Sequence, residues 1–141
     1  MKSTLVLILV LIFSAQDKIS AQHHDSAKGN VQISDTIILR QLLNETGIQN
    51  KEIQMLIVDF PPNTISASHR HPCPTFGYIL EGELESVFEG KKYTYNKGDP
   101  FFEMSNGLHS VTRNNSLTQT AKLLVFFITD TGKPTSVPEK K

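Results

Sequence analysis

The sequence predicts a single all-β domain, and three observations support that prediction. From Thr36 onward, short runs rich in Ile, Leu, Val, Phe, Thr and Tyr follow one another. Asn, Gly and Pro separate these runs at intervals typical of an all-β sandwich or barrel. No stretch carries apolar residues at the spacing of an amphipathic helix. The pattern therefore indicates strands joined by turns.

Nine runs have the composition of strands and end at residues that favour turns. They are Thr36–Leu43, Glu52–Phe60, Thr64–His71, Phe76–Glu81, Glu83–Phe88, Lys92–Tyr95, Phe101–Met104, Ser110–Arg113 and Ala121–Thr129. Within the last run, Leu123–Ile128 is apolar on both faces, which is typical of a strand covered by a partner sheet or a second subunit. We therefore predict a homodimer.

Composition narrows the classes of partner. The chain has 141 residues, enough for one domain with its own hydrophobic core. Its 14 basic and 14 acidic residues are interspersed, so no charged surface for nucleic acid or anionic membrane is predicted. The only cysteine, Cys73, excludes an internal disulfide. Charge therefore does not indicate which kind of partner the protein binds.

The two ends of the chain differ from its middle. Lys2 and the apolar run Leu5–Phe13 predict a signal peptide over residues 1–21, because the run is shorter than the ~20 residues that span a bilayer. Cleavage after Ala15 is an alternative to cleavage after Ala21, which we favour. We therefore expect the protein to be secreted or periplasmic and to have no stable membrane anchor after cleavage. Residues 22–34 are predicted to be a flexible arm, and residues 131–141 a disordered, solvated tail.

His69 and His71 lie two residues apart in a segment predicted to be extended. Alternate side chains of a strand leave the same face about 6–7 Å apart, so two imidazoles can converge on one ion. An isolated His-x-His also occurs on the wet face of ordinary strands. The residues that follow the pair favour the first interpretation.

The segment from Asn63 to Gly82 resembles the first motif of the cupin family. That motif runs Gly, five residues, His-x-His, three or four residues, Glu, six residues, Gly. In this chain Asn63 stands at the first Gly position, His69 and His71 form the pair, and Thr75 stands at the Glu position. The string HRHPCPTFGYILEGELE is also similar to small cupins.

The segment from Gly98 to Asn114 resembles the second cupin motif, which runs Gly, five residues, Pro-x-Gly, two residues, His, three residues, Asn. Gly98 is followed by Met104 at the Pro position, Asn106 at the second Gly position and His109 at the His position. Asn114 comes one residue late. The resemblance implies a single jelly-roll β-barrel over residues 35–130.

The resemblance implies that His69, His71 and His109 bind one divalent metal ion: Fe, Mn, Ni, Cu or Zn. Thr75 replaces the carboxylate ligand of many cupins, so three neutral imidazoles would leave the ion's charge uncompensated and favour an anionic substrate. Cys73 and Glu103 are the residues that could replace that carboxylate. Binding is expected to weaken as pH falls through ~6.5, the ordinary histidine range.

Two functions are compatible with this pattern. The first is an exported metal-binding cupin, with oxygenase or other oxidoreductase activity on a small, anionic molecule, in which Thr75 or Glu103 orients the substrate. The second is a non-catalytic cupin that binds a small molecule without metal. Isomerase chemistry would need an acid/base pair in the barrel, and no His/Asp or His/Tyr couple at suitable spacing is evident.

Overall fold

The computed structural model describes residues 31–140, and every regular element in that range is a β-strand. The strands are β1 (Ser34–Glu45), β2 (Ile48–Phe60), β3 (Thr64–Ile65), β4 (His69–Arg70), β5 (Thr75–Glu81), β6 (Glu83–Phe88), β7 (Lys91–Asn96), β8 (Pro100–Glu103), β9 (Leu108–Asn114), β10 (Ala121–Asp130) and β11 (Val137–Pro138). The predicted all-β class is confirmed.

The strands form two antiparallel sheets. One has the order β1-β2-β10-β5-β8, and the other has the order β11-β4-β9-β6-β7, with β3 also paired to β9. Strands that are distant in sequence are neighbours in both sheets, as in a jelly roll. This arrangement brings β4, β5, β8 and β9 to one end of the barrel, where the histidines lie.

The hydrophobic core fills the space between the two sheets. Alternate residues of β2, β5, β6 and β10 point inward and are buried, because strand side chains alternate between faces. Ile79 at the centre of β5 is fully inaccessible to solvent. The buried apolar residues of this core are Leu56, Phe60, Cys73, Ile79, Leu84, Ala121, Leu123, Val125 and Phe127.

The structure has a strand within each of the nine predicted runs, and one run differs in detail. Thr64–His71 is divided into β3 and β4, because the three residues between them leave the ladder. Ser66 still contacts β9 there: its amide donates to the Thr112 carbonyl, and its Oγ accepts from the Thr112 amide. The interruption lets the chain turn His69 into the barrel.

The C-terminal residues correct the prediction of a disordered, solvated tail. Val137 and Pro138 form β11 and pair with Arg70 and His69 of β4. The Glu139 carboxylate binds the Arg70 guanidinium, with its Oε2 2.6 Å from Nε. The tail is ordered because a two-residue strand and an ion pair attach it to the sheet. We call residues 131–140 the C-terminal strap.

The predicted signal peptide, residues 1–21, and most of the predicted arm lie outside the described residues. Of the arm, Val31, Gln32 and Ile33 precede β1, and Ile33 packs against the core. Within residues 31–140 the structure contains no helix long and apolar enough to cross a membrane.

The outer side of the five-stranded sheet carries a cluster of apolar side chains. Phe76, Tyr78 and Phe102 there are 41%, 44% and 58% exposed. Phe76 contacts both Phe102 and Phe126, with ring centroids 5.2 and 6.1 Å apart. The run Leu123–Ile128 thus has a buried inner side and a half-buried outer side that joins this cluster.

The homodimer stays a prediction, and this cluster is where we expect the second copy to bind. Replacing Phe102 with Glu places a charge among the apolar rings, so the dimer should dissociate at micromolar concentration. Sedimentation velocity would measure the change. Tyr93→Glu alters an exposed aromatic residue of the other sheet and should leave the dimer intact. A wild-type protein that sediments as a monomer would refute the prediction.

Candidate metal centre

The pairing of β4 with β9 brings two of the three predicted histidines together. His69 lies directly opposite His109 in the ladder, so both side chains project from the same face of the sheet. Their ring centroids are 5.0 Å apart. His71 follows two residues after His69, and its Nε2 lies 3.2 Å from Nε2 of His69. One nitrogen from each histidine lies within 4.8 Å of the others, so the three can hold a metal ion.

Two backbone carbonyls orient the first pair of imidazoles. Nδ1 of His69 donates to the carbonyl of Ala67 over 2.8 Å, and Nδ1 of His71 donates to the carbonyl of Thr135 over 2.7 Å. These bonds place the proton on Nδ1 and leave the Nε2 lone pairs facing one another. Two lone pairs at this distance need a cation or a proton between them, which is the arrangement of a metal site.

A β-bulge in β9 turns His109 inward. Phe88 pairs with His109 and Val87 with Val111, so Ser110 is an extra residue on β9. His109 and Thr112 are consequently both buried inside the barrel, although they are three residues apart. The same extra residue explains why Asn114 comes one residue late in the motif.

His109 is held by hydroxyl groups on one side only. Its Nε2 lies 2.9 Å from Oγ of Ser86 and 2.7 Å from Oγ1 of Thr112. Its Nδ1 is buried without a hydrogen-bond partner among residues 31–140. Because a hydroxyl can accept the Nε2 proton, the free lone pair is on Nδ1. That lone pair is the third donor available to an ion.

The structure places Thr75 and Glu103 opposite each other on β5 and β8. Both are buried, at 1% and 2% exposure. The Thr75 hydroxyl donates to the Cys73 carbonyl, whereas neither carboxylate oxygen of Glu103 has a hydrogen-bond partner among the described residues. Oε2 of Glu103 lies 3.5 Å from Nδ1 of His109. A carboxylate thus lies in the barrel, one strand away from the motif position.

Cys73 does not belong to this group. It is buried in the core and lies beside Pro72 and Pro74 in a separate, smaller cavity. Burial raises the pKa of its thiol above the ordinary value, so the thiolate needed for metal binding is disfavoured. Of the two candidate replacements for the motif carboxylate, only Glu103 adjoins the histidines.

Sequence reasoning missed several residues that hold the histidines and one pairing between two residues that it did name. The Thr135 carbonyl comes from the strap, and Ser86 and Thr112 come from β6 and β9. The Glu103/His109 couple is an acid/base pair that the sequence spacing did not reveal. Inward alternation along β6 and β9 could have indicated Ser86 and Thr112, but a backbone carbonyl carries no sequence signal.

Burial keeps His71 and His109 neutral at neutral pH. Desolvation lowers the pKa of His71 to about 4, opposed by its bond to Thr135, and lowers the pKa of His109 to about 3. The His109 value is lowered further by the two neighbouring imidazoles. Both side chains are therefore neutral ligands well below the ordinary histidine range. The expected competition by protons near ~6.5 is wrong for these two residues.

A cavity of about 940 Å³ opens beside the histidines. All three imidazoles, Thr75 and Glu103 line it, together with apolar residues from the inner face of the five-stranded sheet. This volume suits a small organic molecule rather than a single ion.

The fold, the two motifs and this geometry agree with comparisons to known proteins. Residues 56–127 match the family model for a cupin domain, which is more than half of the chain. The chain belongs to the cupin family. This match confirms the family expectation from the motifs. No curated protein matches the chain in sequence.

Solved structures similar to this cupin include an uncharacterised protein and two enzymes of different activity. It is similar to an uncharacterised Klebsiella pneumoniae protein with a double-stranded β-helix domain (17% identity, TM-score 0.59, 79% of this chain and 88% of that one). It is also similar to the DMSP lyase DddQ from Ruegeria pomeroyi (22% identity, TM-score 0.58, 88% of this chain and 58% of that one). An oxalate oxidase in complex with the substrate analogue glycolate also matches (26% identity, TM-score 0.51, 60% of this chain and 45% of that one). These likenesses support the jelly-roll fold.

Glu103 gives the metal-free cupin a pH-dependent stability. Burial raises its pKa from 4.5 to about 7. Because the native pKa exceeds the unfolded one, the stabilisation is complete below 4.5 and is lost as pH rises through about 7. The loss is on the order of 3 kcal/mol. Glu103→Gln removes the ionisation, so it should stabilise the protein more at pH 9 than at pH 5.

Urea denaturation with a chelator present would measure this difference. Glu83→Gln, an exposed change on β6, should have the same small effect at both pH values. An equal effect of Glu103→Gln at the two pH values would show that the carboxylate is not desolvated.

Proposed function

We propose that this cupin binds one divalent metal ion on His69, His71 and His109 and uses the adjoining cavity for a small organic molecule. The observation that supports the proposal is the convergence of three imidazoles, two of which have Nε2 atoms 3.2 Å apart. Each imidazole has its other nitrogen tied to a carbonyl or hydroxyl. That pattern of outer hydrogen bonds is common among metal-binding histidines.

The donor set fits a borderline transition metal. Imidazole nitrogens suit Zn, Cu, Fe and Ni, while Mn prefers additional oxygen donors. When bound, such an ion supplies Lewis-acid chemistry and, for Fe, Mn or Cu, redox chemistry. An oxygenase or other oxidoreductase activity on an anionic molecule belongs to this proposal.

Glu103 is the residue that we assign to hold or move a proton in the cavity. Its carboxylate oxygens are buried, unpaired among residues 31–140, and 3.5 Å or more from the nearest histidine nitrogen. Burial raises its pKa to about 7 without metal, and a bound cation would lower that pKa, so the carboxylate would accept a proton. Thr75, whose hydroxyl is engaged by a carbonyl, forms the neighbouring wall.

The C-terminal strap positions His71. Besides the carbonyl of Thr135, the strap supplies Glu139, which binds Arg70 between the two histidines. The Arg70 Nη1 also donates to the Asn106 carbonyl over 2.6 Å. Asn106 in turn donates its amide to the His71 carbonyl. The backbone of β4 is therefore fixed from both sides.

The alternative is a metal-free cupin that binds a small molecule in the same cavity. The cavity's apolar wall favours binding of an organic ligand whether or not an ion is present. Elemental analysis of protein purified without a histidine tag distinguishes the two functions. Export of the mature chain remains part of our proposal, since it rests on Lys2 and Leu5–Phe13.

Metal occupancy should depend on the histidines and hardly on Thr75. Changes in outer hydrogen bonds cost about 10–100-fold in metal affinity, so removing a ligand with His71→Ala should exceed ~100-fold. Thr75→Ala removes a hydroxyl that is already bonded to a carbonyl and should change affinity only a few-fold. Competition with a chromophoric chelator would measure both. Equal losses in the two variants, or no stoichiometric metal in the wild type, would contradict the proposal.

The strap should strengthen metal binding through His71. Deleting residues 131–141 removes the carbonyl that orients the imidazole, so affinity should fall about 10–100-fold. Glu139→Gln weakens a partly exposed ion pair worth about 0.2–1 kcal/mol and should cost at most about fivefold. Asp130→Asn breaks a comparable exposed pair with Lys51 and serves as the control. Unchanged metal dissociation rates after the deletion would exclude a positioning role.

A further inference from the structure

The cavity beside the histidines has one apolar side. Its wall there consists of inward residues of β2, β8 and β10, which are Leu56, Val58, Phe101, Leu123, Val125 and Phe127. Gly77 does not widen it, because the Phe101 ring occupies the place of the missing side chain. A ligand that fills this space must therefore present apolar surface to that wall.

Polar groups line the rest of the cavity. The three imidazoles, Glu103 and Thr112 lie on the side of the metal centre, which adjoins the apolar wall because the rings of His71 and Phe127 are 5.0 Å apart. Hydroxyl and amide side chains, among them Asn63, Ser66 and Ser68, line the cavity as well. No Lys or Arg of the described residues lines it, and its only charged residues besides histidine are Asp35 and Glu103. Arg70 is engaged by Glu139, and Arg40 by Glu52. A ligand with several anionic groups would find no side-chain cation for the second one.

We propose that the cavity takes a monocarboxylic acid with an apolar chain, the carboxylate lying at the three histidines and the chain lying against Leu56, Val125 and Phe127. This substrate class rests on the proposed metal site, because the described lining residues include no Lys or Arg and the ion would supply the positive charge for the anionic head. Dicarboxylates and sugar acids are disfavoured: they would place polar groups on the apolar wall. The volume of about 940 Å³ accommodates a molecule much larger than the carboxylate alone.

A chain-length series tests this assignment. Titration calorimetry would measure the binding of unbranched alkanoates from four to about twelve carbons to the zinc-loaded protein. Each methylene group that becomes buried should tighten binding about three- to fourfold until the cavity is filled. Oxalate and gluconate should bind more weakly than octanoate. Tighter binding of either, or no dependence on chain length, would overturn the proposal.

The head group is tested separately. Octan-1-ol has the same chain without the charge and should bind at least tenfold more weakly than octanoate to the zinc-loaded protein. Octanoate should also lose affinity when zinc is removed. Equal binding of the alcohol and the acid would overturn the placement of the carboxylate. Zinc stoichiometry is measured first, so a protein that holds no zinc refutes the proposed metal function on its own.

Two variants of β10 locate the alkyl chain of the bound acid. Val125→Phe adds volume inside the cavity and should abolish the gain from longer alkanoates, while butanoate binding persists. Leu124→Phe makes the same kind of change on the outer face of β10 and should leave the series unchanged. Should Val125→Phe fail to fold, Val125→Thr keeps the shape and should lower octanoate affinity more than butanoate affinity. Identical series in the wild type and in a folded Val125 variant would overturn the proposed chain position.

Discussion

The site depends on the register of β4 against β9, which sets His69 directly opposite His109. A slip of one residue would turn His69 to the outside and bring Arg70 into the barrel, because side chains alternate strictly along a strand. A strand of two residues cannot hold its own register. β4 is therefore held by β9 on one side and by the strap on the other, with the Arg70–Glu139 ion pair fixing the residue between the two histidines. The convergence of the imidazoles therefore depends on the ordered C-terminal strap.

The departures from the family motifs are explained by backbone geometry. Asn63 and Asn106 stand at motif glycine positions, and both adopt positive φ, at 55° and 64°. Asparagine tolerates this conformation better than most residues, so the turns survive without glycine. The late Asn114 follows from the bulge in β9. Its side chain donates to the carbonyls of Phe60 and Gln119, which joins the ends of β2 and β9 to the loop before β10. The motif asparagine is structural in this barrel.

The strands and the pair His69/His71 could be predicted from sequence because alternation, turn residues and His-x-His spacing are local signals. His109 was predicted from the resemblance to the second cupin motif. The remaining features depend on pairings between distant segments. Glu103 faces the site only because β8 pairs with β5, and its partnership with His109 needs the bulge. The strap has the composition of a solvated tail, and only its contacts with β4 order it. Phe101 of β8 fills the space left by the missing side chain of Gly77, and the sequence does not show that these two residues lie opposite each other.

Thr75 and Glu103 together decide which charge the proposed site can accept. The carboxylate lies on β8, whereas the motif position for it is on β5. The barrel therefore contains one negative charge, but this charge lies outside the group of three histidines that can bind the ion. A cation bound at the histidines would favour the ionised form of Glu103, since opposite charges stabilise each other in a desolvated space. The ion and Glu103 then leave one positive charge uncompensated at the histidines, since Asp35, the other acidic residue of the cavity, is exposed to solvent. A ligand with a single anionic head brings the total to zero, whereas a dianion would leave an unpaired negative charge beside an apolar wall, where burial of charge is most costly. The charge balance at the histidines and the apolar wall of the cavity therefore both favour a ligand with one anionic group and an apolar chain.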